Sequence, residues 1–465
     1  MKILHVLANS SPDVNGYAVR TQMLLQYQKE LEGVENIGLT SPWYPDRDSM
    51  VEEHLSGTVR YMRSLHPSRK KNTRLSHKLV AFFTRKAIGK REIKTNMLVE
   101  KKIFPLRVFD FLYFGSFKIG RAVRHIFRIF WKVVEEKILI REFTRRIVEV
   151  AKQTTPDLIH AHTPYRVGIP AMKAARKLGL PFVYEMRGMW EETAVANGRW
   201  MHNGPAYRRF QGYETKVLRQ ADSVICISQT LKEEAVSRGV SPSKITVIPN
   251  AVEKTIYEQK KVSEYLPMAV EALKSQSKPT VIGYIGSLRE MEGVDLTASA
   301  VALLSERGVD VKFFVLSGEN GQDQLREHCK VLGIGDDAVI MGPVPHEEVA
   351  GFYDLIDLFV VSRPNTRVTR LVTPLKPFEA MAMGKPVIAS RLPALEEILE
   401  HEKTGLLFEP GNTEDLATTL QRCIDDKAMS SQLGKNAHRW VVEHRTWQSV
   451  VEKTLDAYQI AQNSR

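Results

Sequence analysis

The chain has 465 residues, 43% of them hydrophobic and 26% charged, with a formal net charge of +12. That size and balance exclude a disordered tail or one small module and suit two domains of α/β size. Cys226, Cys329 and Cys423 are odd in number and far apart, which excludes a disulfide framework or a C-x-x-C metal pair and suits a reducing compartment.

In chain order, MKILHVLANSS carries an apolar run too short for a secretory leader and reads as a buried strand over residues 2–8. The loop from Asn9 to Gly16 leads to a helix from Tyr17 to about Glu32, with Leu24, Leu25 and Leu31 on its apolar side. Strand, glycine-bearing loop and helix open a βαβ domain, and Gly16 would let backbone approach a ligand. No stretch approaches the roughly 20 uncharged residues of a membrane-spanning helix.

The positive charge is regional. Between Arg60 and Arg146 stand 24 Lys and Arg against 6 Asp and Glu, so the rest of the chain is net acidic. There Phe104, Phe109, Phe111, Tyr113, Phe127 and Trp131 interleave with Lys102, Arg107, Lys118, Arg121, Arg124 and Arg128. A basic, aromatic-rich helical insertion at about 60–146 is expected, resting on an anionic membrane surface. An insertion packed on its own domain with a solvated basic face fits the same composition. Nucleic acid also fits it but is not the expected partner.

The βα rhythm then resumes. A strand from Asp157 to Ala161 ends in His160-Ala-His162, and a strand from Pro181 to Tyr184 ends in Glu185-Met-Arg187-Gly188. Ligands of open parallel sheets gather beyond the carboxyl ends of strands, so His162, Glu185 and Arg187 fall where chemistry is expected, although a lone strand-end histidine is often a structural hydrogen-bonder. A helix from Ala206 to Gln220, a strand from Ser223 to Ile227, the N-cap Ser228 and a strand from Ile245 to Ile248 follow. Pro249-Asn250-Ala251-Val252 leaves the first domain, and residues 256–278 read as a polar linker. Strands Thr280 to Ile285, Val311 to Leu316, Ala338 to Met341 and Leu358 to Val361 alternate with helices in the second half. Gly286-Ser287 follows the first of these and Ser317-Gly318 the second.

Thr373 to Ser390, TPLKPFEAMAMGKPVIAS, reads as a turn, a short helix stopped at Gly384, and a buried strand. Pro374 suits the first turn. Lys376 opposes the helix dipole there unless an anion is bound, and Glu379 can accept from ribose-like hydroxyls. The remaining segments, 413–423, 430–443 and 447–460, are helical by period.

These residues carry a resemblance. Thr373–Ser390, with NGYAVRT, HAHTP and the Gly405–Pro410 turn GLLFEP, resembles the retaining glycosyltransferases called group 1 or family 4, in the subset containing S/T-P-L-K. The resemblance implies an α/β fold of two Rossmann-like, doubly wound domains facing a cleft (GT-B). An acceptor domain would span 1–255, a donor domain 279–438, and a helix at 439–465 would cross back. It also implies transfer of a sugar from a UDP- or GDP-linked donor to a lipid-linked or polysaccharide acceptor in cell-surface or extracellular polysaccharide synthesis. No cofactor beyond that cosubstrate and no metal are implied, and the place is the cytoplasmic face of a membrane. By the resemblance, Lys376 and His162 are catalytic. Gly286, Ser287, Gly318, Thr373, Leu375, Lys376 and Glu379 bind the donor, and Gly16, His162, Glu185 and Arg187 face the acceptor. Three donor-side positions depart from the family pattern: a second Glu is replaced by Leu371, and two phosphate-neutralising cations by Ser287 and Glu292. Arg289, Arg363, Arg367 and Arg370 are candidates to compensate. A catalytically silent scaffold of a polysaccharide assembly complex and a nucleotide-sugar epimerase are the alternative readings.

Overall fold

The computed structural model describes residues 1–11, 15–43, 53–57, 59–65, 118–258, 263–274 and 278–464, with the side chains of 118–131 set aside. Most of the basic segment, 66–117, therefore lies outside the described residues.

Two largely parallel sheets organise the chain. The first contains β1 (Lys2–Leu7), β2 (Glu35–Thr40), β3 (Glu53–Ser56), β4 (Val59–Arg63), β5 (Leu158–His162), β6 (Phe182–Met186), β7 (Ser223–Cys226) and β8 (Ile245–Val247). Their order is β3-β4-β2-β1-β5-β6-β7-β8, with β3 antiparallel to β4. The second contains β9 (Thr280–Ile285), β10 (Val311–Leu316), β11 (Ala338–Met341), β12 (Leu358–Val361), β13 (Val387–Ser390) and β14 (Leu406–Phe408), in the order β11-β10-β9-β12-β13-β14. The strands read as nearly continuous apolar runs because helices cover both faces. The winding direction reverses between β1 and β5 in one sheet and between β9 and β12 in the other. Beyond the carboxyl ends of those strand pairs lie the places where doubly wound sheets bind ligands.

One face of the first sheet packs on the helix Tyr165–Leu178 and on Phe143, Ile147 and Val150 of the helix Lys118–Thr154. The other face is covered from the far end of the chain: Trp447 and Val450 pack with Leu24, Leu25 and Tyr61, and Ala457, Tyr458 and Ala461 pack on Ile3, Leu158, Val183 and Ile225. Outgoing and returning chains run side by side at this crossing. Val252 forms a parallel bridge with Thr446, its N–H donating to the Arg445 carbonyl at 2.8 Å.

Several expected spans are drawn differently. The basic insertion does not begin at Arg60, because Val59–Arg63 is β4, paired in parallel with β2. Nor does it end at 146, because the helix runs unbroken to Thr154 and buries its second half. Residues 256–278 are not wholly a linker: the helix Leu266–Leu273 places Ala269 and Leu273 in the second core. The crossing is made by two short helices, Trp447–Val451 and Lys453–Asn463. The helix before them, Lys427–His444, stays on the second domain through Leu433, Ala437 and Val441. Leu406–Phe408 is a strand on β13, not only a turn. The short helix begins at Lys376, so Pro377 takes the first-turn place expected for Pro374, and Gly384 is left-handed at φ 68°. Among the described residues no helix is long and apolar enough to cross a membrane.

Candidate active site

On the second-domain side, Gly286 follows β9 at the winding reversal with φ 153°, a conformation side-chain-bearing residues rarely adopt. A Cβ there would sit 2.6 Å from Cε of Lys376. The glycine therefore admits the lysine stem, which lies half-buried in the first turn of the helix Lys376–Ala382. Among the described residues no hydrogen bond or ion pair engages the Lys376 ammonium. One turn on, Glu379 accepts from the Tyr353 hydroxyl at 2.8 Å, which fixes one carboxylate oxygen. Ser287 and Gly318 are exposed at the ends of β9 and β10, with open space where a Cβ on Gly318 would lie. Thr373 is buried, and Leu375 is half-buried.

The candidate phosphate-neutralising cations separate into groups. Arg363 is buried and doubly bonded to Glu292, through Nε at 3.1 Å and Nη2 at 3.2 Å, and its Nη1 donates to the Val372 carbonyl at 3.0 Å. Its charge is thus compensated, and it braces the chain that leads to Thr373. Burial pushes the Glu292 carboxyl up, but Arg363, Lys376 and Arg289 together hold it below the ordinary value. Arg289 is about half exposed and gives Nη2 to Glu292 at 3.1 Å. Arg370 is exposed beside Asn365, and Arg367 reaches Glu192 and Glu234 of the first domain. Of these arginines, Arg289 lies three residues beyond Gly286 in sequence and shares Glu292 with Arg363 while half exposed.

The first-domain side is built differently. His162 ends β5 opposite Glu185 on β6, and His5 on β1 stands opposite His160. Glu185 is fully buried. Its Oε1 accepts from Arg20 through Nε at 3.0 Å and Nη2 at 2.7 Å. Its Oε2 meets Arg187 Nη2 at 2.8 Å and His162 Nδ1 at 2.6 Å. Arg187 also touches His162 and holds the start of the first helix through the Tyr17 carbonyl at 3.0 Å and the Thr21 hydroxyl at 2.6 Å. Burial pushes the Glu185 carboxyl up, yet Arg187, Arg20 and His162 hold it well below the carboxylate range. Burial, then Arg187, lowers His162 to about 4, so the ring is neutral at pH 7. The residues expected to face an acceptor, His162, Glu185 and Arg187, are thus brought together but lie beneath the surface; Gly16 is exposed.

Ring nitrogens of His5, His160 and His162 lie within 4.8 Å of one another, a spacing that suits a metal ion. The surrounding charge opposes one. The single carboxylate is shared by two guanidiniums, and His5 Nδ1 already meets His162 Nε2 at 3.1 Å.

The two sides meet at the 372–375 segment. A Cβ on Gly16 would lie 3.6 Å from Leu375, and one on Gly188 would lie 2.9 Å from the Tyr17 hydroxyl and 3.9 Å from Val372. Ser228 and Thr230 hydroxyls donate to the Leu371 carbonyl at 3.2 and 2.9 Å, so the residue standing for a family Glu contributes its backbone to the closure. Asn250 Nδ2 donates to the Thr373 carbonyl at 3.2 Å. Sequence reasoning passed over Arg20, although it shares a helical face with Leu24 and Gln28 at four-residue spacing, where a charge in an apolar stripe calls for a buried partner. It also missed His5, whose partnership depends on the β1–β5 register, and Tyr353.

Comparison with known proteins agrees with this architecture. A family model described as glycosyl transferases group 1 matches residues 269–440, and one described as glycosyltransferase family 4 matches residues 104–255. An uncharacterized glycosyltransferase of Methanocaldococcus jannaschii is 25% identical over 308 residues, which cover 66% of this chain and 75% of that protein. Sucrose-phosphate synthase from Thermosynechococcus elongatus superposes with a TM-score of 0.69 at 16% identity, over 100% of this chain and 99% of that one. Anabaena HepE in complex with UDP-glucose does so with a TM-score of 0.61 at 16% identity, over 100% and 99%. At such identities the structural likeness speaks for the fold, while the family models span most of both halves. The chain belongs to the group 1, family 4 glycosyltransferases, a retaining-type GT-B family of nucleotide-sugar-dependent enzymes.

Proposed function

We propose that this glycosyltransferase takes a sugar from a UDP- or GDP-linked donor bound over Gly286 and Lys376 and delivers it to a lipid-linked or polysaccharide acceptor at the cytoplasmic face of a membrane. The observation that carries the donor assignment is the half-buried Lys376 ammonium, unpaired among the described residues and seated against a glycine at the winding reversal of the second sheet. In a retaining transfer the diphosphate leaves as negative charge grows on it. A fixed cation with adjoining N–H groups stabilises that charge more in the transition state than in the ground state. Glu379, with one oxygen held by Tyr353, offers the other to the donor ribose. Gly286, Ser287, Gly318, Thr373 and Leu375 supply close backbone approach. Arg289 is the second cation within the same region. His162, Glu185 and Arg187 act on the acceptor side by shaping the wall from beneath. The UDP-glucose held by Anabaena HepE supports a UDP-sugar as the first donor to try.

The acceptor reading rests on the segment from Lys102 to Lys132, whose interleaved cations and aromatics match an anionic bilayer surface. Titration calorimetry with UDP and GDP is the direct test of the donor site. Binding to the native chain that weakens in Lys376→Ala is expected, and a native chain that binds neither nucleotide refutes the assignment. For the acceptor side, vesicles containing anionic lipid should retain the native chain at low salt and release it as salt rises. Combined Arg121→Glu, Arg124→Glu and Arg128→Glu should weaken that retention, and unchanged retention refutes the membrane reading.

A further inference from the structure

Asn250 lies where the chain leaves the first domain, beside the returning strand segment at Thr446, and it is buried. Its side chain faces two ways. Oδ1 accepts from Arg20 Nη1 at 3.1 Å. Nδ2 donates to the carbonyl of Thr373 at 3.2 Å and approaches its hydroxyl at 3.4 Å. Thr373 opens the segment that presents Lys376 three residues later. One amide therefore spans the junction between the first domain and the backbone that carries the proposed donor-binding lysine.

Arg20 makes that amide rigid. It is 2% exposed, and all its nitrogens are engaged: Nε and Nη2 on Glu185 Oε1, Nη2 also on the Ile248 carbonyl at 2.8 Å, and Nη1 on the Pro249 carbonyl at 2.9 Å and on Asn250. Trp447 of the returning helices lies over the guanidinium, with the ring centroid 5.4 Å away. A buried guanidinium keeps one orientation because any other leaves donors unpaired in a medium without water. The orientation of Asn250 follows, since its oxygen must face Arg20 and its nitrogen is thereby turned to Thr373. Glu185 is the common anchor. Through Arg20 it sets the hinge amide, and through Arg187 it sets the first helix, whose leading Gly16 faces Leu375.

We infer that Asn250 is a positioning residue for the donor site. Held by Arg20 and Glu185, it fixes the backbone of Thr373 and so the place of Lys376 relative to the first domain. This rests on the donor reading proposed above. Displacing a charge-stabilising group by about 1 Å can cost on the order of a hundredfold in rate while leaving binding largely intact.

The experiment compares Asn250→Ala with Asn250→Asp in the full chain, by transfer or hydrolysis of whichever UDP- or GDP-linked sugar the native chain turns over, with thermal unfolding in parallel. Aspartate keeps an acceptor for Arg20 but has no N–H for Thr373, so it isolates the second link. Both variants should lose roughly tenfold to a hundredfold in kcat while KM for the donor moves less than about threefold, and Asn250→Asp should remain folded. Native turnover in Asn250→Asp overturns the positioning role and leaves the donor reading standing. A loss confined to KM, or one that follows the loss of folded protein, also overturns it. Failure of the native chain to bind or turn over any nucleotide sugar overturns the donor reading, and this inference with it.

Discussion

The carboxyl ends of the two sheets hold comparable sets of charged groups and dispose of them oppositely. Beyond β1 and β5, Arg20, Arg187, Glu185 and three histidines close on one another, and each is buried. Beyond β9 and β12, Arg363 and Glu292 form a similar buried pair, but half-buried Lys376 has no hydrogen bond or ion pair among the described residues. The contrast separates two uses of charge. The first network is buried and closed by its own hydrogen bonds, and its role is to hold backbone in place. On the donor reading proposed above, the half-buried ammonium of Lys376 is the group that meets the diphosphate.

The strongest way to break this contrast is to remove the carboxylates. Glu185→Ala should lower stability by about 3–5 kcal/mol, because two guanidiniums are left buried without their shared partner. A urea midpoint close to the native one would show that water reaches the cluster. Glu292→Lys sharpens the point. It restores a cation where the family commonly has one, yet here it sets a lysine against buried Arg363, and a destabilisation of about 3–5 kcal/mol is expected by the same measurement. A gain in donor binding without loss of stability would mean that Glu292 is not structural.

Lys376→Ala should behave in the opposite way. Stability should stay within about 0.5 kcal/mol of native, since among the described residues no hydrogen bond or ion pair engages the ammonium. The rate of sugar transfer should fall by roughly 10²–10³. If Lys376→Ala instead lowered stability by several kcal/mol while the folded protein kept normal specific activity, the two regions would have exchanged roles.

A smaller, graded effect comes from pH. His162 titrates near 4 in the folded chain, because burial and then Arg187 disfavour its charged form, and at about 6.5 when unfolded. Between those values the unfolded state holds a proton that the native state does not. Stability is therefore complete above about 6.5 and falls with falling pH by up to about 1.4 kcal/mol per unit. Burial, with His162 beside them, also lowers His5 and His160, which adds to the same slope. Glu185 is depressed as well, so its contribution holds above its unfolded value near 4.3 and is lost only as pH falls further, through its folded value. Denaturant titrations at a series of pH values should show this slope, reduced in His162→Gln. A flat profile between 6.5 and 4 would place the histidines in contact with solvent.

The parts of the molecule legible in sequence are those set by local pattern. Apolar runs such as Thr280–Ile285 and Val311–Leu316 mark buried strands at their observed limits, and TPLK-to-GKPV marks a helix stopped by Gly384. Asn15, whose side chain caps the first helix through the Tyr17 and Ala18 amides, shifts that helix's start only to Gly16. What escaped depends on register and return. The β1–β5 pairing puts His5 on His160, Tyr458 reaches His160 from the other end of the chain at 3.0 Å, and Arg20 finds Glu185 across 165 residues. The strand-end position of Glu185 and Arg187 was visible in sequence, but their burial was not, because the residues that cover them are remote. Arg363 stood in sequence only as a candidate phosphate-neutralising cation, and its pairing with Glu292 was hidden for the same reason, since 71 residues separate the two.

The smallest expected effect concerns the surface that joins the domains. Arg367 bridges them through Glu192 at 2.9 Å and Glu234 at 2.7 Å, and is 47% exposed. Its partners are not dependent on it, since Glu192 also accepts from the Tyr207 hydroxyl and Glu234 also accepts from Arg238. Arg367→Ala should therefore cost less than about 1 kcal/mol, and the difference from native should shrink as salt rises. The buried route through Arg20 and Asn250 is shielded from ions and should not respond to salt in this way. A large, salt-sensitive loss of transfer activity in Arg367→Ala would mean that the exposed bridge, not the buried amide, sets how Thr373–Lys376 meets the first domain.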